Sequence, residues 1–334
     1  MSDFDEIFQL IKYDPKSIDP LTDAISELAA ILECDADTAS RLVKSFLDYY
    51  HYGTAEKPAG ITNEVDVLLI ELTRPFRIPF TVEIMKPLLD GIGVLQGKDV
   101  LDYGGGSGKD TIMFSRLGAS VTYAEIPSKS VEYTEKRFKI RQLSKVDIQD
   151  VTRLDPERRY DVVNCFDVMQ LVYDVEYVLA DVIARIKECG HLFFFACFEN
   201  QWDGSHFEKN CGYLPYFTEI LLSVGFEPVM PVRKDGFAVT HGLKPAGHQT
   251  YHLRRTRPIR GSIIEERETI RKELYGRSVR YSERTMRWCA AALPLAKLFR
   301  NDLAGLIADN LFDNYAIRRL SKYRLAQLSN GAST

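Results

Sequence analysis

Several things are scarce in this 334-residue sequence, and each shortage excludes a class of protein. Its six cysteines (Cys34, Cys165, Cys189, Cys197, Cys211 and Cys289) are scattered, with no C-x-x-C pair and no histidine at metal-ligand spacing. That argues against a disulfide framework and against a structural metal. Cys197 sits in LFFFACF, an apolar run in which cysteine serves as a small buried hydrophobe. No window approaches the roughly 18 consecutive apolar residues of a membrane span. The acidic start, MSDFDEIFQL, lacks the basic-then-apolar layout of a secretory signal. A reduced, cytoplasmic protein is expected. The 21 glycines and 14 prolines show no period, which excludes a collagen-like or low-complexity chain. No RNP-like or zinc-finger pattern occurs, so a nucleic-acid partner is not expected.

What is present is ordinary for a globular chain: 45% apolar and 27% charged residues, with a net charge of −4. At roughly 150 residues per domain, the length suggests about two domains. Near-neutrality hides a split. Residues 251–334 hold 17 Lys and Arg against 8 Asp and Glu, a charge of +9, leaving 26 against 39 in 1–250, a charge of −13. Such asymmetry marks either attraction between parts of one assembly or a basic region awaiting an acidic partner.

Three regions separate by pattern. Residues 1–92 read as helices. PLTDAISELAAIL sets Leu21, Ile25, Leu28 and Leu32 at helical spacing, and DADTASRLVKSFLDYY follows with Leu42, Phe46 and Tyr49 on one face. TAEKPAG reads as a loop, and TVEIMKPLLDGIG as one more helix. Residues 93–245 alternate short apolar runs with helical stretches. DVLDY, SVTYAEI, KVDIQD, YDVVNCF and HLFFFACF are five candidate strands, an arrangement that argues an α/β fold with a parallel sheet covered on both faces. LPYFTEILLSVG then reads as a helix and FEPVM as a strand, with KDGFAVTHG a candidate hairpin partner. Residues 246–334 read as a basic helical extension, in which Phe299, Leu303, Ile307 and Leu311 form an apolar stripe.

The strongest local signal is VLDYGGGSGKD, residues 100–110, an apolar strand running through a glycine-rich turn into a helix. Glycines there let the backbone approach a ligand closely, and the helix N-terminus favours an anionic group. A phosphate-binding G-x-x-x-x-G-K-[ST] does not fit, because Tyr103 and Asp110 occupy required positions. The dinucleotide G-x-G-x-x-G breaks at Lys109. G-x-G-x-G at Gly104, Gly106 and Gly108 fits.

On these residues the sequence resembles the class I S-adenosylmethionine-dependent methyltransferases, over roughly residues 99–228. The resemblance implies a Rossmann-like sheet, here with a helical N-terminal cap and a helical C-terminal extension, and S-adenosylmethionine as cofactor. It places Asp102 near the cofactor's amino group and Gly104, Gly106 and Gly108 against its methionine and adenosine parts. Glu125, ending VTYAEI, corresponds to the acidic residue on the ribose, whose two hydroxyls a carboxylate can accept. Asp150 falls on the adenine amino group, Val151 beside the ring, and Phe166 opens the loop facing the methionine end. In VEYVLADVIARIKECGHLFFFAC, the helix, turn and fifth strand of the family, Cys189 replaces a common proline.

Methyl transfer asks an enzyme mainly to position two substrates and exclude water. Many small-molecule members carry a histidine base in the loop after strand four, in a pattern like L-x-H-V; here Met169-Gln170-Leu171-Val172 puts Leu171 in that place. Asp167 and Tyr173 remain in that loop, Tyr173 as an aromatic contact to the sulfonium or simply as an exposed residue opening a helix. His206, with Trp202 and Asp203 after strand five, is the remaining imidazole base. Tyr49, Tyr50 and Tyr52 of DYYHYG are candidates for a lid over the acceptor, or ordinary packing at a helix end.

Three functions follow from this pattern. The first is methyl transfer to a small, natural-product-like acceptor, with positioning in place of a histidine base. The second consumes the cofactor's methionine chain, as in the azetidine-2-carboxylate and nicotianamine synthases that resemble this fold. The third is an interaction module whose basic tail meets a nucleic acid, an acidic carrier protein or a membrane surface; a homo-oligomer is the other candidate partner.

Overall fold

The computed structural model describes residues 20–52, 92–197, 217–229 and 248–277. Strands form where apolar runs alternate with helical stretches: β1 (Asp99–Tyr103), β2 (Ser120–Glu125), β3 (Val146–Asp150), β4 (Tyr160–Phe166), β5 (Ile186–Cys197), β6 (Phe226–Pro228) and β7 (His248–Arg255). They make one sheet in the order β3-β2-β1-β4-β5-β7-β6, the α/β architecture that the alternation predicts. The helices are α1 (Pro20–Leu32), α2 (Ala36–Tyr52), α3 (Lys109–Arg116), α4 (Lys129–Ile140), α5 (Val175–Ala184), α6 (Phe217–Ser223) and α7, residues 263–277. By compactness the described residues divide into two units. One runs to Asp155 and includes Tyr160–Asn164; the other takes Pro156–Arg159 and the residues from Cys165 onward.

In the first unit β3, β2, β1 and β4 are parallel, and their register sets up the site. Asp102 lies opposite Tyr123 of β2 and Asn164 of β4, and Glu125 lies opposite Asp150 at the ends of β2 and β3. Ile112, Tyr123 and Phe138 form a buried cluster joined by Val131, Leu143, Val146 and Ile148, so α3, α4 and the sheet share one core. Helix α2 begins at a capped turn, where Asp35 accepts from the Thr38 backbone N–H at 2.7 Å and from its hydroxyl at 2.8 Å. Leu28 and Ile31 of α1 and Ala39 and Val43 of α2 are buried, and α1 packs on both α2 and α4.

In the second unit β7 runs antiparallel to β5, from His191 opposite Arg254 to Cys197 opposite His248, and also pairs with β6. Two features depart from the sequence reading. β5 begins at Ile186, five residues before HLFFFACF, and passes through Cys189 at φ +58 instead of waiting for a separate turn. β7 falls in the segment read as basic and helical. Its arginines suggest a solvated helix face, yet Arg255 is buried. Its guanidinium donates to the carbonyls of Ile183 (3.1 Å) and Ile186 (2.8 Å) and to Glu266 of α7. A strand carrying a buried cation is legible only once its counter-ion is known. The candidate hairpin partner at 234–242, the helix at 81–93 up to residue 91, and the apolar stripe beyond residue 298 lie outside the described residues.

The charge split has an intramolecular account among the described residues. Arg254 pairs with Glu227, Arg267 with Asp181 and Arg271 with Asp174, each joining a basic residue of 251–277 to an acid of the earlier chain. Arg257 pairs with Glu273 inside the basic segment. Arg267 and Arg271 also stand over the Tyr177 ring at 4.8 and 5.3 Å, adding cation–π attraction.

Glu266 is the counter-ion on which this unit's polar interior rests, since it also accepts from Arg159 at 2.8 Å. Glu266→Ala leaves buried guanidinium charge unpaired and should cost about 3–5 kcal/mol of stability. Urea unfolding checks this, and a loss under 1 kcal/mol would contradict the pairing.

Candidate functional site

β1 delivers the chain into Gly104-Gly105-Gly106-Ser107-Gly108, after which α3 begins. Gly104, Gly106 and Gly108 have φ of +71, +52 and +74, a region glycine enters at little cost. Gly105 is required for a different reason: a Cβ there would lie 2.6 Å from the Tyr123 ring and 2.9 Å from Asp102 Oδ2. At Gly108 a Cβ would lie 2.4 Å from Phe138, whereas at Gly106 it would meet nothing within 4 Å. The loop therefore has a packed side against Tyr123 and α4 and an open side at Gly106.

Its peptides are held from the packed side. The Gly106 carbonyl accepts from the Tyr123 hydroxyl at 2.6 Å and the Thr134 hydroxyl at 3.0 Å, and the Ser107 carbonyl accepts from Arg137 Nη1 at 2.8 Å. The Gly104 N–H donates to the Ala124 carbonyl at 2.8 Å, and the Gly106 N–H donates to Glu125 Oε2 at 2.9 Å. Because a peptide unit is planar, fixing a carbonyl also fixes the N–H that shares its plane.

Beneath the loop lies a buried carboxylate pair. Asp102 accepts from the Thr111 hydroxyl at 2.6 Å and from Asn164 Nδ2 at 2.9 Å, and the same Asn164 nitrogen is 3.4 Å from Asp110 Oδ2. Burial first, and then the neighbouring Asp110 charge, push the Asp102 carboxyl up to about 7. Asp110 Oδ1 makes no hydrogen bond, and Lys109 Nζ stands 3.7 Å from it. Asp102 thus acts below the loop, with both oxygens occupied by side chains of α3 and β4.

At the strand ends, Glu125 accepts from the Ile126 N–H (2.8 Å) as well as from Gly106, and burial pushes its carboxyl above the usual range against those two bonds. Asp150 opens the short 3-10 turn Val151–Arg153, where its Oδ1 accepts from the Thr152 hydroxyl (2.7 Å) and N–H (2.9 Å). The Thr152 hydroxyl, followed by its N–H, holds that carboxyl below the usual range. The register thus brings the carboxylates expected on ribose and adenine to neighbouring strand ends, with Val151 next in the chain.

The residues after β4 belong to the second unit. The Phe166 ring is 6.0 Å from that of Phe195. Asp167 has φ +63, donates its N–H to the Phe195 carbonyl at 2.8 Å, and accepts from Gln170 Nε2 at 2.5 Å. A non-glycine residue held in this conformation stores local strain, a feature that clusters at functional loops. Leu171 and Tyr173 are exposed, and Asp174 caps α5 by accepting from the Tyr177 N–H at 2.9 Å. Tyr49, Tyr50 and Tyr52 lie in the last turns of α2, with side chains outside the described residues; His206, Trp202 and Asp203 are also outside them.

Sequence reasoning missed the residues that hold the loop from behind, Tyr123, Thr134 and Arg137, and the partners of Asp102, Thr111 and Asn164. A faint signal existed. Thr134, Arg137, Phe138 and Arg141 fall at i, i+3, i+4 and i+7 on α4, one helix face. Its polar members read as solvated until the partners facing them are known.

Residues 85–221 match the family described as a methyltransferase domain. A ubiquinone biosynthesis O-methyltransferase from Coxiella burnetii is 29% identical over 102 residues, 30% of this chain and 44% of its own length. One from Proteus mirabilis is 29% identical over 119 residues, 35% of this chain and 47% of its own. The chain thus spans less than half the length of these curated relatives. A solved S-adenosylmethionine-dependent methyltransferase from Mesorhizobium loti is 15% identical, overlapping 51% of this chain and 96% of its own with a TM-score of 0.39. No described helix is long and apolar enough to cross a membrane, and no cluster of metal-ligating side chains occurs among the described residues.

The raised Asp102 carboxyl has a stability consequence. A folded-state value near 7, against an unfolded value of 3.8, contributes stability that is complete below pH 3.8 and lost as pH rises through about 7. The ligand-free protein should therefore lose thermal stability between about pH 4 and pH 7 through this group. Asp102→Asn should flatten that decline, and an unchanged slope in calorimetry across the same range would count against the assignment.

Proposed function

We propose that residues 85–221, which match a methyltransferase domain, form a class I S-adenosylmethionine-dependent methyltransferase with S-adenosylmethionine as its cofactor, and that the chain methylates a small-molecule acceptor by positioning it in line. The observation that carries this reading is the open side of the glycine loop. Gly106 leaves space where its neighbours are packed, and the Glu125–Asp150 strand ends lie alongside. These residues fit the cofactor: a close-approach backbone, and two carboxylates matching ribose hydroxyl and adenine amino donors.

When bound, the cofactor supplies a methyl group carried on a sulfonium. The chain's own residues bind and orient. Each Glu125 oxygen already takes one backbone N–H but retains a second acceptor direction for a ribose hydroxyl. Asp150 Oδ1 is taken by Thr152, so Oδ2 is the atom left to accept from an adenine amino group; it has Arg153 at 3.6 Å. Gly104, Gly106 and Gly108 let the backbone meet the ligand without a side chain between them, while Asp102 ties the end of β1 to Thr111 of α3 and Asn164 of β4. Val151 supplies apolar surface at the end of β3.

At the acceptor end Leu171, exposed, stands where relatives of this type carry a histidine base. Rate enhancement then comes from alignment and water exclusion, with Asp167 and Tyr173 as the polar groups of the loop after β4. The two curated relatives are named as O-methyltransferases, which makes hydroxyl-bearing small molecules the first acceptor class to assay.

Glu125→Ala and Asp150→Ala should each weaken S-adenosylmethionine binding about tenfold or more, the worth of a charge-assisted hydrogen bond, with little change in melting temperature. Titration calorimetry decides; wild-type affinity in both variants would displace the cofactor from this site. Because Glu125 must be ionised to accept both hydroxyls and its carboxyl is raised, affinity should fall on acidification earlier than an ordinary glutamate dictates. Mass spectrometry of products tests the reaction itself. S-adenosylhomocysteine forming only with an acceptor supports methyl transfer, and methylthioadenosine forming from S-adenosylmethionine alone would replace it with consumption of the methionine chain.

A further inference from the structure

We infer that Arg137 is a positioning residue for the glycine loop, held in place by Glu27, so that the N-terminal helix α1 sets the affinity of the cofactor site. This inference rests on the cofactor reading above and adds a remote control of it.

Arg137 is buried and uses its guanidinium in two directions. Nη1 donates to the Ser107 carbonyl at 2.8 Å, and Nε donates to Glu27 Oε1 of α1 at 3.1 Å. The Ser107 carbonyl shares a rigid peptide with the Gly108 N–H, which closes the loop onto the Gly105 carbonyl at 2.8 Å. The preceding peptide is clamped by Tyr123 and Thr134, so Arg137 completes a set of contacts that decides where the loop's N–H groups point.

A guanidinium is an awkward group to bury here. Gly108 is the N-cap of α3, whose positive end disfavours a nearby cation. Glu27 resolves the conflict: it is buried, and also accepts from Arg141, Nε to Oε1 and Nη2 to Oε2, both at 2.8 Å. Burial alone would raise its carboxyl, but Arg137 and Arg141 outweigh that and hold it below the usual range, so it is ionised wherever the protein is folded near neutrality. Arg137 on α4 and Arg141, the C-cap of that helix, stand one turn apart, and Arg137 is bonded to the loop through Ser107. The helix upstream of the domain therefore carries the charge that keeps a loop-holding arginine in place. A second α1–α4 contact serves as an internal control. Lys136 donates to the Ile31 carbonyl at 3.2 Å and to Glu33 at 2.5 Å at the surface, without touching the loop.

The test uses the full chain with Glu27→Gln, Arg137→Gln, the double variant, and Lys136→Ala as the control for α1 docking. Calorimetric S-adenosylmethionine affinity is read beside hydrogen exchange of peptides covering residues 104–110 in the ligand-free protein. Glu27→Gln and Arg137→Gln should each weaken the cofactor about tenfold, as expected for a disturbed charge-assisted bond, and should speed loop exchange. The double variant should lose no more than Arg137→Gln alone, because the two act in series. Lys136→Ala should leave affinity and loop exchange unchanged. Arg137→Lys, which keeps the charge facing Glu27 but not the two-handed fork, replaces Arg137→Gln if that variant does not fold. Unchanged loop exchange in the Glu27 and Arg137 variants, losses that add in the double variant, or an equal loss in Lys136→Ala would each overturn the inference. If the wild-type chain does not bind S-adenosylmethionine, the proposed function falls, while loop exchange still reads the Glu27–Arg137 link by itself.

Discussion

The described part of the first unit depends on a single constraint: the chain leaving β1 must turn through three left-handed glycines while keeping one side open. Glycine permits those dihedrals but does not choose among them, and a loop this free would sample many conformations at an entropic cost on binding. The choice is made by groups behind the loop. Tyr123 and Thr134 take the Gly106 carbonyl, Arg137 takes that of Ser107, and Glu125 takes the Gly106 N–H. With these in place the open side at Gly106 is prepared before any ligand arrives, the condition under which a backbone site binds without an ordering penalty.

Those supports come from β2 and α4, elements separated from the loop by 17 to 30 residues of sequence. That explains why a strand-to-helix turn needs a whole layer of the domain to work. The T-shaped contact of Tyr123 and Phe138, with centroids 5.4 Å apart, locks the two elements to each other, and Phe138 also fills the space beside Gly108. Below the turn the Asp102–Asp110 pair adds polarity that burial makes costly. The cost is accepted at a place where Thr111 and Asn164 tie α3 and β4 to β1.

Buried charge serves the described part of each unit in the same way. Glu27 fastens α1 to α4 through two arginines, and Glu266 fastens α7 through Arg255 and Arg159. Ion pairs of this kind contribute little net stability over an apolar substitute, but they penalise any arrangement that leaves a charge unpaired. They therefore specify which surface an added helix occupies, a task a plain apolar stripe does less selectively. The acidic and basic halves of the sequence follow from this use of charge as much as from any partner.

The sequence by itself determined the elements whose signals are local. The ends of β1 and β4, the span of α1 and the glycine-rich turn at Gly104, Gly106 and Gly108 were legible because periodicity and glycine freedom act within a few residues. Glu125 and Asp150 were legible too, each ending an apolar strand beside the glycine turn. Tertiary structure decided what those features meet. It gave the Asp102 oxygens to Thr111 and Asn164, made Gly105 as necessary as its neighbours by bringing up Tyr123, and turned the basic stretch at 248–255 into a strand by giving Arg255 a buried counter-ion. Arg137 and Glu27, 110 residues apart, had no local signature at all. The physical reason is common to these cases. Backbone preference is set by a residue and its immediate neighbours, whereas the worth of a polar or charged side chain depends on which distant partner the register brings within about 3 Å.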